Sequence, residues 1–119
     1  MTWSPWLRLA DRNFWYIEQV MWHPICFQFA LDAPHVPQGE TLTPLYTGVA
    51  ANEHVLFEAC EARASGLEPR WRPELDAGKV LYYRSQARPE LSAVEALRDA
   101  LLAESTPAWN AAGDDWAPA

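Results

Sequence analysis

Thr43-Pro44-Leu45-Tyr46-Thr47-Gly48-Val49-Ala50-Ala51-Asn52 reads as a short strand that passes through a Tyr-x-Gly and ends at a helix N-cap. Asn52 opens a helix through about residue 64. Along it Leu56, Cys60, Arg63 and Leu67 recur at i, i+4, i+7 and i+11, and Gly66 stands at its end. Arg63 on that line is a stem lying along apolar surface, or the edge of the face.

Working back toward the N-terminus, Asp32 to Glu40, with Pro34, Pro37 and Gly39, is a loop that delivers the chain to the third strand at Thr41 to Val49. Before it, Ile25-Cys26-Phe27-Gln28-Phe29-Ala30-Leu31 is a strand entered through the turn Trp22-His23-Pro24. Residues 13–21 are dense in aromatic and β-branched side chains and fit an antiparallel partner for it, although the stretch from Phe14 to Trp22 also fits a continued helix. Ser4-Pro5 is an N-cap and first-turn pair that predicts a short helix to about Ala10.

Working forward, residues 67–78 contain Pro69 and Pro73 and read as irregular, with Arg70 and Arg72 flanking Trp71. Lys79 to Arg84 is a nearly continuous apolar and aromatic run, suited to a central strand. Ser92-Ala93-Val94-Glu95 has the form of a capping box, and the helix it opens carries Val94, Leu97 and Leu101 on one face to about Glu104. These elements predict a small α+β domain over residues 1–104, with a three- or four-stranded antiparallel sheet and two packed helices. Residues 1–24 are an N-terminal extension, and residues 105–119, which lack periodicity, are expected to form a mobile acidic and Trp-bearing tail.

The chain has 119 residues, enough for a single core that hides roughly two-thirds of the unfolded surface without a metal or disulfide. Its seven Trp are more than so small an interior accommodates, so some belong at a surface. Sixteen acidic residues against nine basic ones, with Lys79 the single lysine, give a net charge of -7. That balance disfavours a phosphate-neutralising contact with nucleic acid and favours a basic protein partner. Cys26 and Cys60 fit neither a CxxC nor a disulfide-dense pattern and read as small buried hydrophobes of a reducing, cytoplasmic compartment. Met1-Thr2-Trp3-Ser4-Pro5-Trp6 has no basic n-region or apolar h-region, and no stretch has the length of a membrane span.

Leu45-Tyr46-Thr47-Gly48-Val49, with Val80-Leu81-Tyr82-Tyr83 and then Glu95-Ala96-Leu97-Arg98, resembles the second motif, third strand and last helix of the GIY-YIG nucleases. The resemblance spans residues 25–104. It implies phosphodiester hydrolysis by a tyrosine pair, an arginine on the first helix and a metal-binding glutamate on the last. Tyr46 matches the second tyrosine. The first strand, however, offers only Phe27 and Phe29, the arginine position falls at Val55 or Leu56, and the glutamate position falls near Asp99 or Ala100. A phenyl ring relays no proton, so the resemblance implies a scaffold without its catalytic groups.

His23, Cys26, His54 and Cys60 offer borderline zinc ligands, but His54 and Cys60 are six residues apart on a helix and diverge by about 120°. Cys26 or Cys60 paired with His35 or His54 lacks the tight turn that presents a nucleophile, and there is no P-loop or GxGxxG. No metal or cofactor is therefore expected. Arg63, Arg70, Arg72, Arg84 and Arg88 are candidates to gather around Trp71 as the one basic feature of an acidic chain, and Asp114, Asp115 and Trp116 resemble a short docking peptide. The leading expectation is an inhibitor, immunity or adaptor protein that binds a basic partner through Arg70, Trp71, Arg72, Asp114, Asp115 and Trp116. The alternative is a nuclease or nucleic-acid binder that uses Mg or Mn with Tyr46, Arg63 and Asp99 in displaced positions.

Overall fold

Two eight-residue strands, β2 (Ile25–Asp32) and β4 (Val80–Ala87), lie at the centre of the sheet. In the computed structural model of the protein, which describes residues 3–9, 22–34 and 41–117, they pair antiparallel along their full length, from Ile25 opposite Ala87 to Asp32 opposite Val80. The five-residue β3 (Tyr46–Ala50) pairs with the free side of β2, and the two-residue β1 (Leu7–Arg8) pairs with the free side of β4. The sheet order is β1-β4-β2-β3, all antiparallel. Four helices accompany it among the described residues: α1 (Glu53–Glu61), α2 (Glu68–Asp76), α3 (Leu91–Glu104) and α4 (Ala108–Ala111). This is the expected α+β class.

Side chains alternate across the pleat, so each strand serves two interiors. Ile25, Phe27, Phe29, Tyr46, Leu81 and Tyr83 join Leu56 and Phe57 of α1, then Leu67, Trp71 and Trp109, in the main core. Its rings meet edge to face, Phe29 with Trp71 at 5.4 Å and Phe57 with Tyr83 at 5.4 Å, the arrangement their quadrupoles favour. Ala30 and Tyr82 point the other way, into a smaller cluster with Leu42, against which Trp6 and Val80 pack.

Asn52 caps α1 as its sequence predicts, its Oδ1 accepting from Val55 N at 2.9 Å. The helix stops at Ala62, and Arg63 follows at φ 53°, in the left-handed region. Gly66 is not the stop.

Ser4-Pro5 opens no helix. Ser4 exchanges bonds with Ser85, N to O at 2.9 Å and Oγ from Ser85 N at 3.0 Å, and this leads into β1 along the side of β4 away from β2. Residues 68–76 are helical, not irregular. Pro69 lies in the first turn, where no intrahelical donor is needed, while Leu67 and Trp71 bury one face at i, i+4 spacing. Ser92 is no N-cap: α3 starts at Leu91, with Glu90 as cap residue and no side-chain cap bond, so Ser92 already lies inside the helix. The strand expected at residues 13–21 lies outside the described residues.

Candidate functional site

The segment after Pro107, expected to be mobile, is seated on the outer edge of β3. Trp109 N donates to Leu45 O at 2.9 Å. The Asn110 side chain then takes the place of a neighbouring strand, its Oδ1 accepting from Thr47 N at 2.8 Å and its Nδ2 donating to Thr47 O at 2.9 Å. Trp116 Nε1 donates to Val49 O at 2.9 Å. Single side chains thus satisfy the backbone groups that an edge strand would leave open. Ser65 Oγ on Trp116 O at 2.7 Å, and Arg70 on Asp114 at 2.7 Å, hold the segment from the other side.

Two glycines make this seating possible. A Cβ on Gly48 would lie 2.7 Å from the Tyr46 ring, 3.0 Å from Phe27 and 3.3 Å from Trp116, so the glycine of the Tyr-x-Gly gives three rings room to meet. A Cβ on Gly66 would collide with the backbone oxygen of Asp115 and lie 2.8 Å from that of Ala117.

Tyr46 is covered by this segment. Its hydroxyl donates to Asp115 Oδ1 at 3.1 Å and accepts from Trp116 N at 3.3 Å. Burial, with the Asp115 charge adding to it, pushes its pKa up to about 12. A groove of about 520 Å³ runs beside the β3 edge, and its lining includes Tyr46, Glu95, Arg98 and Asp115, but neither Arg63 nor Asp99. Arg63 is exposed at the end of α1, and Asp99 is exposed and paired with Arg98 at 2.9 Å. That groove brings Tyr46 together with Glu95 and Arg98.

The Arg-Trp-Arg run is also turned toward its own chain. Trp71 is 1% exposed, its Nε1 on Glu68 at 3.0 Å, and Arg72 pairs with the same carboxylate at 3.1 Å. Asp114 is held by Arg70, and Trp116 by Val49. The arginines do not gather, because Arg84 lies against Trp3 and Trp6, and Arg88 bonds Gln86 Oε1 at 2.9 Å.

His54 pairs with Glu58 at 3.0 Å, Cys26 is fully buried, and no group of three His, Cys, Asp or Glu suited to a metal occurs among the described residues. Burial pushes the Cys26 thiol up to about 12, far from a reactive thiolate.

What the structure exposes is different. Trp22 is 59% exposed, Leu91 46% and Val55 39%, and these are the exposed large apolar side chains among the described residues. Trp22 precedes β2, Val55 lies in the first turn of α1 just after β3, and Leu91 begins α3 just after β4. Ile25 pairs with both Ala50 and Ala87, so all three stand at one end of the sheet. The Trp22 ring lies 5.3 Å from that of His54. Sequence reading missed this set because each residue sits alone in a different turn. The signal was an apolar residue at each of three connections, before β2, after β3 and after β4. No protein-family model, curated protein or solved structure matches the chain. No helix among the described residues is long and apolar enough to cross a membrane.

Proposed function

We propose that this is a protein-binding module of the inhibitor, immunity or adaptor kind, built on a catalytically degenerate GIY-YIG-like scaffold and acting on a basic partner in the cytoplasm. The observation that carries the reading is the collection of Trp22, Val55 and Leu91 at one end of the sheet. Exposed aromatic and aliphatic side chains at one end of the sheet supply anchors for a partner, and a net charge of -7 speeds its capture when the partner is basic. Tyr46 covered by Asp115 and Trp116 supports the absence of nuclease chemistry in this reading.

The test places a photo-crosslinking residue at Trp22 and, separately, at Asp76, beyond the opposite end of β4. Crosslinking in extract from position 22, but not 76, to a basic protein, lost in Leu91→Asp, supports the reading. Equal labelling from both positions, or capture unchanged in Leu91→Asp, overturns it. A parallel low-salt DNA titration with Mg²⁺ or Mn²⁺ tests the nuclease alternative, which requires cutting that Tyr46→Phe abolishes.

A further inference from the structure

Four cations in this structure meet carboxylates, Arg70 on Asp114 at 2.7 Å, Arg72 on Glu68 at 3.1 Å, Lys79 on Glu74 at 3.0 Å and Arg98 on Asp99 at 2.9 Å, while Arg88 meets the amide oxygen of Gln86 at 2.9 Å. Arg84 also meets an amide oxygen, but in the middle of the sheet. It stands mid-strand on β4, opposite Gln28 on β2, and among the described residues no carboxylate forms an ion pair with it, in a chain that holds sixteen. Burial alone pushes its guanidinium pKa down, as expected for a desolvated charge with no countercharge beside it.

The guanidinium is nevertheless fixed in place. Nε and Nη2 both donate to Gln28 Oε1, at 2.9 and 2.7 Å. Gln28, itself buried, is oriented in turn because its Nε2 donates to Thr47 Oγ1 at 3.0 Å, and Thr47 is 1% exposed. The indoles of Trp3 and Trp6 lie over the cation, their centroids 4.6 and 4.7 Å from Cζ. A guanidinium has five N–H donors, and the Gln28 oxygen occupies one edge of the fork. In the Trp6 ring that lies over the cation, Nε1 is buried with no acceptor among the described residues.

Two kinds of desolvated donor therefore stand together with one amide oxygen between them. Burying donors without acceptors is costly, and an ionised acceptor is the group that offsets that cost most strongly in a site screened from water. We propose that Arg84 and Trp6 form a binding site for a small oxyanion, a carboxylate or a phosphate group, with Gln28 and Thr47 positioning the guanidinium. The oxyanion accepts from the guanidinium N–H groups not held by Gln28 and from Trp6 Nε1. This site is separate from the apolar end formed by Trp22, Val55 and Leu91, so either can fail without the other.

The test follows the indole N–H resonances in ¹H–¹⁵N spectra during titration with sodium phosphate and with sodium acetate, against sodium chloride at matched ionic strength. Trp6→Phe assigns the Trp6 resonance. The expected result is a saturable shift of that resonance with at least one oxyanion, and the preferred anion identifies the chemical class. Arg84→Met abolishes the response, and Trp6→Phe, followed through the Gln28 side-chain amide, weakens binding by ~10-fold or more, the scale of one hydrogen bond to a charged group. Shifts no larger than those with chloride, or undiminished in Arg84→Met, overturn the site. Should Arg84→Met fail to fold, an unchanged affinity in Trp6→Phe overturns it on its own.

Discussion

The indole nitrogen of Trp116 donates to the carbonyl oxygen of Val49 at 2.9 Å, across 67 residues of sequence. With Asn110 on Thr47, this bond ends the sheet at β3 with side chains instead of a fifth strand. An uncovered strand edge invites pairing with another chain, so the contact bears on association as well as stability. Asn110→Ala removes two bonds and leaves the Thr47 N–H and C=O to water, for an expected loss of about 1–2 kcal/mol. Trp116→Ala also removes the edge-on contact with Phe27 at 5.5 Å, for about 2–3 kcal/mol given its partial burial. Urea unfolding measures both, and light scattering is expected to show more self-association in Trp116→Ala than in the parent.

Alkaline pH is expected to destabilise the fold through two protons. Tyr46 is pushed up to about 12 from 10.0, and Cys26 to about 12 from 9.0, both mainly by burial. Each group is held neutral in the native state and ionises more readily once unfolded. The unfolded chain therefore binds fewer protons above pH 9, and stability falls as pH rises. The contribution is complete below pH 9. It is lost at up to about 1.4 kcal/mol per pH unit from Cys26 above 9, joined by the same slope from Tyr46 above 10, and it ends near 12. Tyr46→Phe and Cys26→Ala each remove one proton's worth of slope in urea melts taken from pH 8 to 11. A slope unchanged in both variants contradicts the assignment.

Much of the frame was legible in the sequence, and the reasons are physical. β2 and the first half of β4 are apolar runs whose side chains are buried on both faces, and Asn52 caps α1 through a bond only three residues away. Helix α2 was hidden by proline content, since composition does not show that Pro69 falls in a first turn. The terminal segment was illegible for a different reason. Its anchors are isolated side chains, Asn110, Asp115 and Trp116, whose partners lie 63 to 70 residues away and impose no period on the segment. Gly48 carried a true signal that was read as a motif, whereas its structural role is to admit the rings of Tyr46, Phe27 and Trp116.

Trp71 tests the distinction between an interface residue and a core residue. At 1% exposure, with its ring against Phe29, Trp71→Ala is expected to cost about 3–5 kcal/mol and to abolish any activity by unfolding. Trp22→Ala, at 59% exposure, is expected to change stability by no more than about 0.5 kcal/mol. Thermal melts of the two variants separate these outcomes before any binding measurement is interpreted.

Gly66 offers the sharpest test of the seated terminal segment. Its N–H donates to Trp116 O at 3.1 Å, and a Cβ there would meet the backbone oxygens of Asp115 and Ala117, atoms that cannot swing aside as a side-chain tip would. Gly66→Ala is therefore expected to destabilise the full chain by about 1–3 kcal/mol, the usual scale of overpacking. Deleting residues 113–119 removes those oxygens, and in that background Gly66→Ala is expected to cost nothing, or to stabilise by a few tenths of a kcal/mol through the unfolded state. A double-mutant cycle by urea denaturation reads the difference as a coupling energy, which for residues in direct contact runs to about 0.5–3 kcal/mol. A cost for Gly66→Ala that is the same with and without the segment would mean that the chain does not run against Gly66 in solution.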